Sequence, residues 1–223
     1  MGMQTPAAPT VPPIPMTIDF VADVVCPGCY LGWRRLKKAL ALRPNIEATI
    51  VWRPFQLDPS IPEQGVDRKA YMAAKFKDPA RLSAAHEALK AGAAEDGLIL
   101  NLTEIPISPN TNAVHRVIRW AAAAGLQEAM IEAVMAAYFT DLRDIGDPEV
   151  LADIADSVGL ERMMVLKLLS EEADKALIAH EHGVAVQAGI TGVPFTIFGG
   201  KVAAVGAESP ENLAAAIDQA LAA

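Results

Sequence analysis

The sequence predicts an α/β fold in which one sheet carries helices on both faces and a large all-helical insertion interrupts the chain. Near the N-terminus, alternating apolar residues in a stretch rich in β-branched side chains are followed at once by helical spacing. Residues 59–159 then change to alanine-rich helical stretches. Close to the C-terminus, two short β-branched runs flank Gly199-Gly200, which is the pattern of a hairpin with a two-residue turn.

The first three elements form a βαβ unit. Alternation predicts a buried strand over residues 16–25, which ends abruptly at Cys26. Apolar residues at helical spacing from Pro27 predict a helix to about Leu42, since a proline in the first turn needs no amide hydrogen. A β-branched run over residues 46–52 predicts the second strand.

The middle of the chain reads as helical. Prolines and glycines divide residues 59–159 into five short amphipathic helices. Either Asn110 or Thr111 is suited to cap the helix that carries His115 and Trp120, because both have short polar side chains just before its first apolar residue.

The C-terminal part completes the sheet. A helix from about residue 162 leads into a helix over 174–188, and strands over 193–198 and 201–205 form the hairpin. A terminal helix begins with a cap near Ser209. The order β-α-β, helical insertion, α-β-β-α is the thioredoxin arrangement, in which both halves contribute strands to one sheet.

This order defines three segments. We predict a loose tail over residues 1–15, a thioredoxin-like domain from residues 16–58 and 174–223, and a helical insertion domain over residues 59–173. The tail is rich in Pro, Ala and Thr and lacks the basic start and apolar stretch of a secretory signal. We therefore expect a cytoplasmic protein, although a secreted form whose signal has been removed would read the same way.

Composition excludes several classes of protein. Of the 223 residues, 52% are hydrophobic and 21% charged, which indicates an ordered globular chain. There is no unbroken apolar run of about 20 residues of the kind a membrane span needs. The formal net charge of -8 and the scattered lysines and arginines argue against a nucleic-acid partner.

The two cysteines, Cys26 and Cys29, form a lone CxxC motif. A disulfide across so short a loop adds little stability, so the pair points to chemistry. We expect Cys26 to be exposed at a helix N-terminus, where free amide hydrogens and the helix dipole favour a thiolate. Cys29, one turn later and shielded, would resolve the mixed disulfide. Inert thiols or a zinc half-site are the alternatives, but zinc needs about four ligands and no second CxxC exists.

A second signal lies in the segment Thr191-Gly192-Val193-Pro194-Phe195. A proline is tolerated at the start of a strand, and an X-Pro bond is where a cis peptide costs least. A cis bond before Pro194 would turn the backbone of Val193 outward. Its amide and carbonyl could then pair with an extended substrate beside Cys26. We therefore predict that Val193 and Pro194 bind substrate.

Four motifs carry a resemblance to a known family: Asp23-Val24-Val25-Cys26-Pro27-Gly28-Cys29-Tyr30-Leu31-Gly32, Trp52-Arg53-Pro54-Phe55, Asn110-Thr111-Asn112-Ala113-Val114-His115-Arg116 and Thr191-Gly192-Val193-Pro194. Together they resemble the FrnE branch of the DsbA-like oxidoreductases, which is related to 2-hydroxychromene-2-carboxylate isomerase and kappa-class glutathione transferase. The resemblance spans about residues 16–222. It implies a thioredoxin fold with an inserted helical domain, a disulfide-exchanging dithiol, and protein or small-molecule thiols as partners.

Two departures from the family pattern matter. The branch usually carries Trp where this chain has Gly28, so its redox potential is not carried over. The isomerase and transferase branches use Ser in place of Cys26, and near the C-terminus an Asp-Arg or Asp-Ser pair holds the γ-glutamyl end of glutathione. Ala207-Glu208 stands there in this sequence, which favours dithiol chemistry.

Several other residues are candidates for the site. His115 could face the cleft and shuttle a thiol proton, or be a capped structural histidine. Asp23 is a candidate proton acceptor for Cys29, against the simpler interpretation of a strand-end acid that is solvated or bonded to a neighbouring amide. Phe55 and Asn110 are further candidates for substrate contact, and Trp52 is either core or a wall of the cleft.

The leading interpretation is a dithiol oxidoreductase acting on protein or low-molecular-weight disulfides. It needs no cofactor beyond its own disulfide, with glutathione as a candidate co-substrate, and no metal. The alternatives are a glutathione-dependent isomerase or transferase and a non-enzymatic redox-sensing or chaperone-like module that binds clients. The CxxC motif alone does not set the direction of exchange, which depends on the reduction potential. The apolar insertion is compatible with a homodimer.

Overall fold

The computed structural model describes residues 12–223, and residues 1–11 of the predicted tail lie outside the described residues. The described chain forms, in order, β1 (Ile14–Ala22), α1 (Pro27–Ala41), β2 (Ile46–Pro54), β3 (Val66–Asp67), α2 (Arg68–Lys75), α3 (Pro79–Glu95), β4 (Ile107–Ser108), α4 (Asn112–Ala123), α5 (Gln127–Phe139), α6 (Pro148–Ser157), α7 (Arg162–Ser170), α8 (Lys175–Gln187), β5 (Phe195–Phe198), β6 (Val202–Val205) and α9 (Pro210–Ala222).

The main sheet has the strand order β2-β1-β5-β6. β1 runs parallel to β2 and antiparallel to β5, and β5 pairs with β6 in the predicted hairpin. In this register Phe20 lies between Trp52 on one side and Thr196 on the other. The β-α-β and β-β-α halves therefore meet in one sheet, and the predicted thioredoxin fold is confirmed.

β1 begins two residues before its predicted start and ends at Ala22, three residues before its predicted end. The last pair of the ladder with β2 joins Ala22 to Pro54. Proline has no N–H to continue the ladder. The chain instead forms a turn in which the N–H of Cys26 donates to the Asp23 carbonyl, 3.1 Å away. The apolar alternation thus continues into a turn.

The insertion contains the expected helices, with α2 to α6 lying between residues 59 and 159. It also contains an antiparallel ladder of β3 and β4, which the sequence did not predict. Each of these strands has two residues, too few for an alternation pattern to be visible. α9 starts as predicted, with the Ser209 hydroxyl accepting from the N–H of Asn212.

One hydrophobic core joins the sheet to the insertion. Trp33 of α1 is fully buried and its ring meets Phe20 of β1 edge-on, with centroids 5.6 Å apart. The same cluster contains Tyr138 and Phe139 of α5 and Ile217 of α9. Burying one such side chain stabilises the fold by about 1.5–3 kcal/mol. This core fixes the start of α1 at the end of β1.

None of the helices within residues 12–223 combines the length and the apolar character required to cross a membrane.

Candidate active site

Cys26 is the N-cap residue of α1, with extended backbone angles and no capping hydrogen bond from its side chain. Pro27 occupies the first helical position, as predicted. The Cys26 carbonyl accepts from the N–H of Cys29 at 2.9 Å. The sulfur therefore lies at the positive end of a 15-residue helix, where the dipole favours an anion.

The exposure expected for Cys26 is wrong. The residue is only 9% exposed, and Cys29 is fully buried. The reason is the loop before β5, which lies against the sulfur and places the Val193 carbonyl oxygen 3.6 Å from Sγ of Cys26. Cys26 is a shielded thiol at the surface of the core, so a reaction partner must approach beside this loop.

Both cysteines are free thiols in this structure, and their side chains hydrogen-bond to each other. The hydrogen bond from Cys29 is the main reason that the pKa of Cys26 falls below its ordinary value, although burial opposes the shift. Burial, followed by the bond to Cys26, raises the pKa of Cys29 well above its ordinary value. The pKa of Cys26 therefore lies below that of Cys29. Cys26 is the thiol that ionises first, and Cys29 keeps its proton to higher pH.

The Val193-Pro194 peptide bond is cis, as the sequence predicted. Pro194 is buried against α1, where a Cβ added to Gly32 would stand 2.9 Å from Cγ of Pro194. A real Cβ atom does not approach so closely, so glycine at position 32 allows the loop to reach the helix. The predicted neighbours, the start of α1 and the Val193-Pro194 turn, are in contact.

Asp23 is 1% exposed, in the turn between β1 and Cys26. Its Oδ2 accepts from the N–H of Leu57 at 2.7 Å. Its Oδ1 lies 3.4 Å from Nε2 of His115 and has no hydrogen-bond partner within residues 12–223. The carboxylate is therefore buried and not solvated, and one oxygen is bonded to a neighbouring amide as the simpler interpretation allowed, while the other is unsatisfied within the described residues.

His115 is 1% exposed and does not face a cleft. Its Nδ1 accepts from the indole N–H of Trp52 at 3.0 Å, and its Nε2 lies 3.2 Å from the Phe55 carbonyl. Because an indole nitrogen can only donate, the ring proton is assigned to Nε2, which donates to the Phe55 carbonyl. Packed between these groups, His115 has the contacts of a structural histidine, and its role in substrate binding stays a prediction.

Phe55 and Asn110 both make contacts within the fold, and their role in substrate contact stays a prediction. The Phe55 side chain is 6% exposed and packs in a small cluster with Val21, Ala185 and Ile190. Asn110 is occupied internally, because its Nδ2 donates to the Ile61 carbonyl at 2.6 Å.

Asn110, one of the two predicted caps, precedes the N-cap residue Thr111 and bonds the first N–H of α4. Its Oδ1 accepts from the N–H of Asn112 at 3.0 Å, whereas the Thr111 side chain makes no capping bond.

His182 of α8 also belongs to the site, although sequence reasoning identified no partner for it. Its Nδ1 accepts from the N–H of Gln56 at 3.1 Å, and its ring meets Phe55 edge-on. Burial lowers the pKa of His182, which favours this accepting, neutral form. Side chains from three separate elements thus hold the successive backbone groups of residues 55–57 after β2.

A cavity of about 280 Å³ lies beside the CxxC motif. Val25 and Pro27, which flank Cys26, line one side of it, and α2 and α3 cover the other. It contains the buried Arg68, which sequence reasoning missed. The available signal was its position directly after the N-cap Asp67, where a cation opposes the helix dipole. Within residues 12–223, no group of three or more His, Cys, Asp or Glu is placed to hold a metal ion.

Comparison with known proteins gives a consistent family. A sequence model described as "DSBA-like thioredoxin domain" matches residues 17–218. The uncharacterized protein YwbO of Bacillus subtilis is 24% identical over 189 residues, which cover 83% of this chain and 88% of that protein.

Solved structures show the same fold. A probable DsbA oxidoreductase from Streptomyces coelicolor is similar at a TM-score of 0.86 and 29% identity, covering 93% of this chain and 90% of that chain. A 2-hydroxychromene-2-carboxylate isomerase gives a TM-score of 0.69 at 19% identity, over 91% of this chain and 95% of that one. The cytosolic disulfide reductase DsbM of Pseudomonas aeruginosa gives a TM-score of 0.62 at 16% identity, over 92% of this chain and 98% of that one.

Proposed function

The chain belongs to the DSBA-like thioredoxin domain family, and on that premise we propose that it exchanges disulfides through Cys26 and Cys29. The observation that carries this proposal is the asymmetry of the two thiols. Cys26 lies at the start of α1 with a lowered pKa, and Cys29 is fully buried with a raised one. A nucleophilic thiol followed by a protected resolving thiol is what exchange requires.

The proposed reaction has two steps. The Cys26 thiolate attacks one sulfur of the substrate disulfide, which forms a mixed disulfide and releases the first substrate thiol. Cys29 then loses its proton and attacks Sγ of Cys26, which releases the second thiol and leaves a Cys26–Cys29 disulfide. Two electrons pass from the dithiol to the substrate, and the reverse sequence oxidises a dithiol partner.

The main chain at Val193 is the proposed docking point. Its carbonyl oxygen lies 3.6 Å from Sγ of Cys26, and its N–H has no backbone acceptor within the described residues. An extended substrate segment could use both groups, as in strand addition. This would place the scissile disulfide beside the sulfur that attacks it.

Asp23 is the proposed proton acceptor for Cys29. Its carboxylate is buried, its Oδ1 is unsatisfied within residues 12–223, and its negative charge contributes to the raised pKa of Cys29. A buried base with a free lone pair can accept the proton that Cys29 must lose before it attacks.

The glutathione-dependent isomerase is the second candidate, since such an isomerase shares the fold. Ala207 and Glu208, which occupy the position of the glutathione-binding pair, argue against it. The Glu208 carboxylate accepts from Nδ2 of Asn212, and Ala207 contributes only its carbonyl, which accepts from Arg35. Neither residue supplies a free side chain for a γ-glutamyl group.

We extend the proposal to partners and location. Protein or small-molecule disulfides are the proposed substrates, a low-molecular-weight thiol such as glutathione is the proposed co-substrate, and the cytoplasm is the proposed location. The structural neighbour DsbM is described as a cytosolic disulfide reductase and has also been solved with GSH, which supports this direction.

The decisive experiment traps the mixed disulfide. A Cys29→Ser variant should accumulate a covalent adduct between Cys26 and a model disulfide, seen as a mass increase, because nothing resolves it. A Cys26→Ser variant should form no adduct, and both should lose turnover. Full activity of Cys29→Ser with glutathione and an aromatic substrate would instead indicate the isomerase. Client binding that survives Cys26→Ser, with no exchange activity in the unmodified protein, would indicate a binding module.

A further inference from the structure

The cavity beside the CxxC motif has mainly apolar walls. Leu57, Ile61, Met72, Phe76 and Leu89 contribute to its lining. Its volume of about 280 Å³ is close to the lower end of ordinary small-molecule sites, which suits a ligand of about one ring. Val25 and Pro27, the two chain neighbours of Cys26, belong to its lining, so the residues that flank the reactive cysteine form part of its wall.

The lining also contains polar residues, among which Arg68 is a buried cation, 8% exposed. Its Nη1 interacts with the Tyr138 hydroxyl at 3.0 Å and the Ser108 hydroxyl at 3.5 Å. Its Nε and Nη2 have no hydrogen-bond partner, and its guanidinium forms no salt bridge, with any group of residues 12–223. A guanidinium carries five donors in a fork that fits a carboxylate, and three of them are free here.

The position of Arg68 is costly for stability. A buried cation without a paired anion is unfavourable, and a cation in the first turn of a helix also opposes the dipole. Arg68 is the first residue of α2, so both costs apply. Two other basic residues line the cavity. Lys75 is exposed and its ammonium donates to the Tyr71 hydroxyl, and the half-buried His86 is held towards its neutral form, because burial and then the charge of Arg68 lower its pKa. Arg68 is therefore the buried positive charge of the cavity.

Two carboxylates also border the cavity, but each already has partners. Asp58 accepts from the Tyr71 hydroxyl at 3.0 Å and from Ser60. Asp23 accepts from the N–H of Leu57 and faces His115. Neither approaches Arg68 closely enough to form an ion pair, so the charge of Arg68 remains available to a bound anion.

We propose that this cavity binds the apolar, carboxylate-bearing half of a small disulfide, with the carboxylate on Arg68 and the sulfur at Cys26. This inference rests on the proposed function and adds its substrate class. The dithiol would reduce such a disulfide by the two steps given above, yielding two thiol acids and the Cys26–Cys29 disulfide. The apolar walls favour a hydrocarbon or aromatic acid over a ligand with several charges.

The first experiment compares two matched disulfides on the pre-reduced protein in a single turnover, which needs no added reductant. The pair is para-dithiodibenzoate, which carries a carboxylate on each ring, and its neutral counterpart para-dithiodibenzamide. We expect the carboxylate compound to react about 10- to 100-fold faster at low concentration, as a charge-assisted hydrogen bond predicts. Equal rates, or a faster amide, would overturn the inference.

Variants assign the preference to one residue. Arg68→Gln should remove most of the carboxylate preference, which is measured as the ratio of the two rates. Arg81→Gln is the matched control, since Arg81 is an exposed cation on α3 outside the cavity lining. It should keep the preference. An equal loss in both variants would indicate long-range charge only, and equal slowing of both disulfides by Arg68→Gln would indicate a structural role. Both results contradict the inference.

A binding measurement separates this inference from the proposed function and covers the case in which Arg68→Gln does not fold. In the Cys26→Ser/Cys29→Ser double variant, para-toluate should bind by calorimetry at least about tenfold more tightly than para-toluamide. If neither disulfide oxidises the unmodified protein but para-toluate still binds selectively, the cavity assignment stands and the exchange function fails. If exchange occurs and para-toluate binds no more tightly than para-toluamide, the exchange function stands and the cavity assignment fails.

Discussion

The thioredoxin-like half and the helical insertion build their parts of the site in different ways. In the thioredoxin-like half, Cys26, Cys29 and Pro194 are positioned by the backbone: a helix start, one helical turn and the residue before a strand. On the insertion side, the structure behind the site depends on contacts between side chains from distant segments of the chain. His115 of α4 contacts Trp52 of β2 across 63 residues of sequence.

This difference explains what a local sequence pattern can reveal. A site positioned by the backbone can be recognised from a few neighbouring residues in the sequence. A site formed by side chains from distant segments can be recognised only in the folded structure. It also predicts different weaknesses. The insertion side should be most sensitive to loss of one shared polar partner, and the thioredoxin-like side to steric changes where helix and loop touch.

The largest effect expected on stability is from His115→Leu. The substitution leaves the Trp52 indole N–H and the Phe55 carbonyl unpaired in the core and removes the neighbour of Asp23. We expect the free energy of unfolding to fall by about 3–4 kcal/mol, measured by urea denaturation.

His180→Leu is the control for this prediction. His180 is exposed on α8, and its replacement should change stability by no more than about 0.5 kcal/mol. A double-mutant cycle with Trp52→Phe should show strong coupling to His115→Leu, since both remove the same bond. A loss below about 1 kcal/mol, or no coupling, would mean that the hydrogen bonds of His115 with Trp52 and the Phe55 carbonyl do not stabilise this part of the fold.

The same contrast accounts for what the sequence could and could not predict. The hairpin, the βαβ unit and the cap at Ser209 follow from neighbouring residues, and each is confirmed. The exposure of Cys26 was overestimated, because the loop that covers it is 167 residues away in the chain.

Side-chain convergence was the least predictable feature. The partner of His182 is the N–H of Gln56, 126 residues earlier, and no pattern in α8 indicates it. The partners of Arg68, Ser108 and Tyr138, likewise come from separate elements. Such contacts form only when the insertion packs on the sheet, so the hydrophobic periodicity of the sequence does not predict them.

On the thioredoxin-like side, Gly32→Ala should destabilise the protein by about 1–3 kcal/mol. The added Cβ would stand 2.9 Å from the Pro194 ring, which is not a flexible side chain that can move aside. Gly183→Ala in α8 is the matched control, because a Cβ there meets nothing within 4 Å. It should stabilise by about 0.5–1 kcal/mol through helix propensity. The same thermal or urea measurement serves both variants, and equal effects would show that α1 and the Pro194 loop do not make a tight contact.

A smaller effect is expected on the reactivity of Cys26. Its lowered pKa means that the thiolate persists below the ordinary thiol range and is lost only as the pH falls through that lowered value. Because the hydrogen bond from Cys29 is the main cause, Cys29→Ala should move the pH midpoint of Cys26 alkylation upward. The rate at neutral pH should drop about tenfold. Iodoacetamide labelling followed by mass spectrometry across pH measures both, and an unchanged or lower midpoint would contradict the proposed division of roles.

The smallest effects test whether the two regions unfold together. Ser209→Ala removes the cap of α9 in the thioredoxin-like half, and Asp147→Ala removes the cap of α6 in the insertion. Each should lower the free energy of unfolding by about 1 kcal/mol. Since one hydrophobic core contains residues of both regions, both variants should shift the same single transition, and the double variant should lose about 2 kcal/mol. Ser83→Ala, at an exposed position inside α3, should leave that transition within about 0.5 kcal/mol of its original stability. A second transition that moves only with Asp147→Ala would show that the insertion unfolds on its own, and the shared core would then contribute less to holding the cavity wall than its burial indicates.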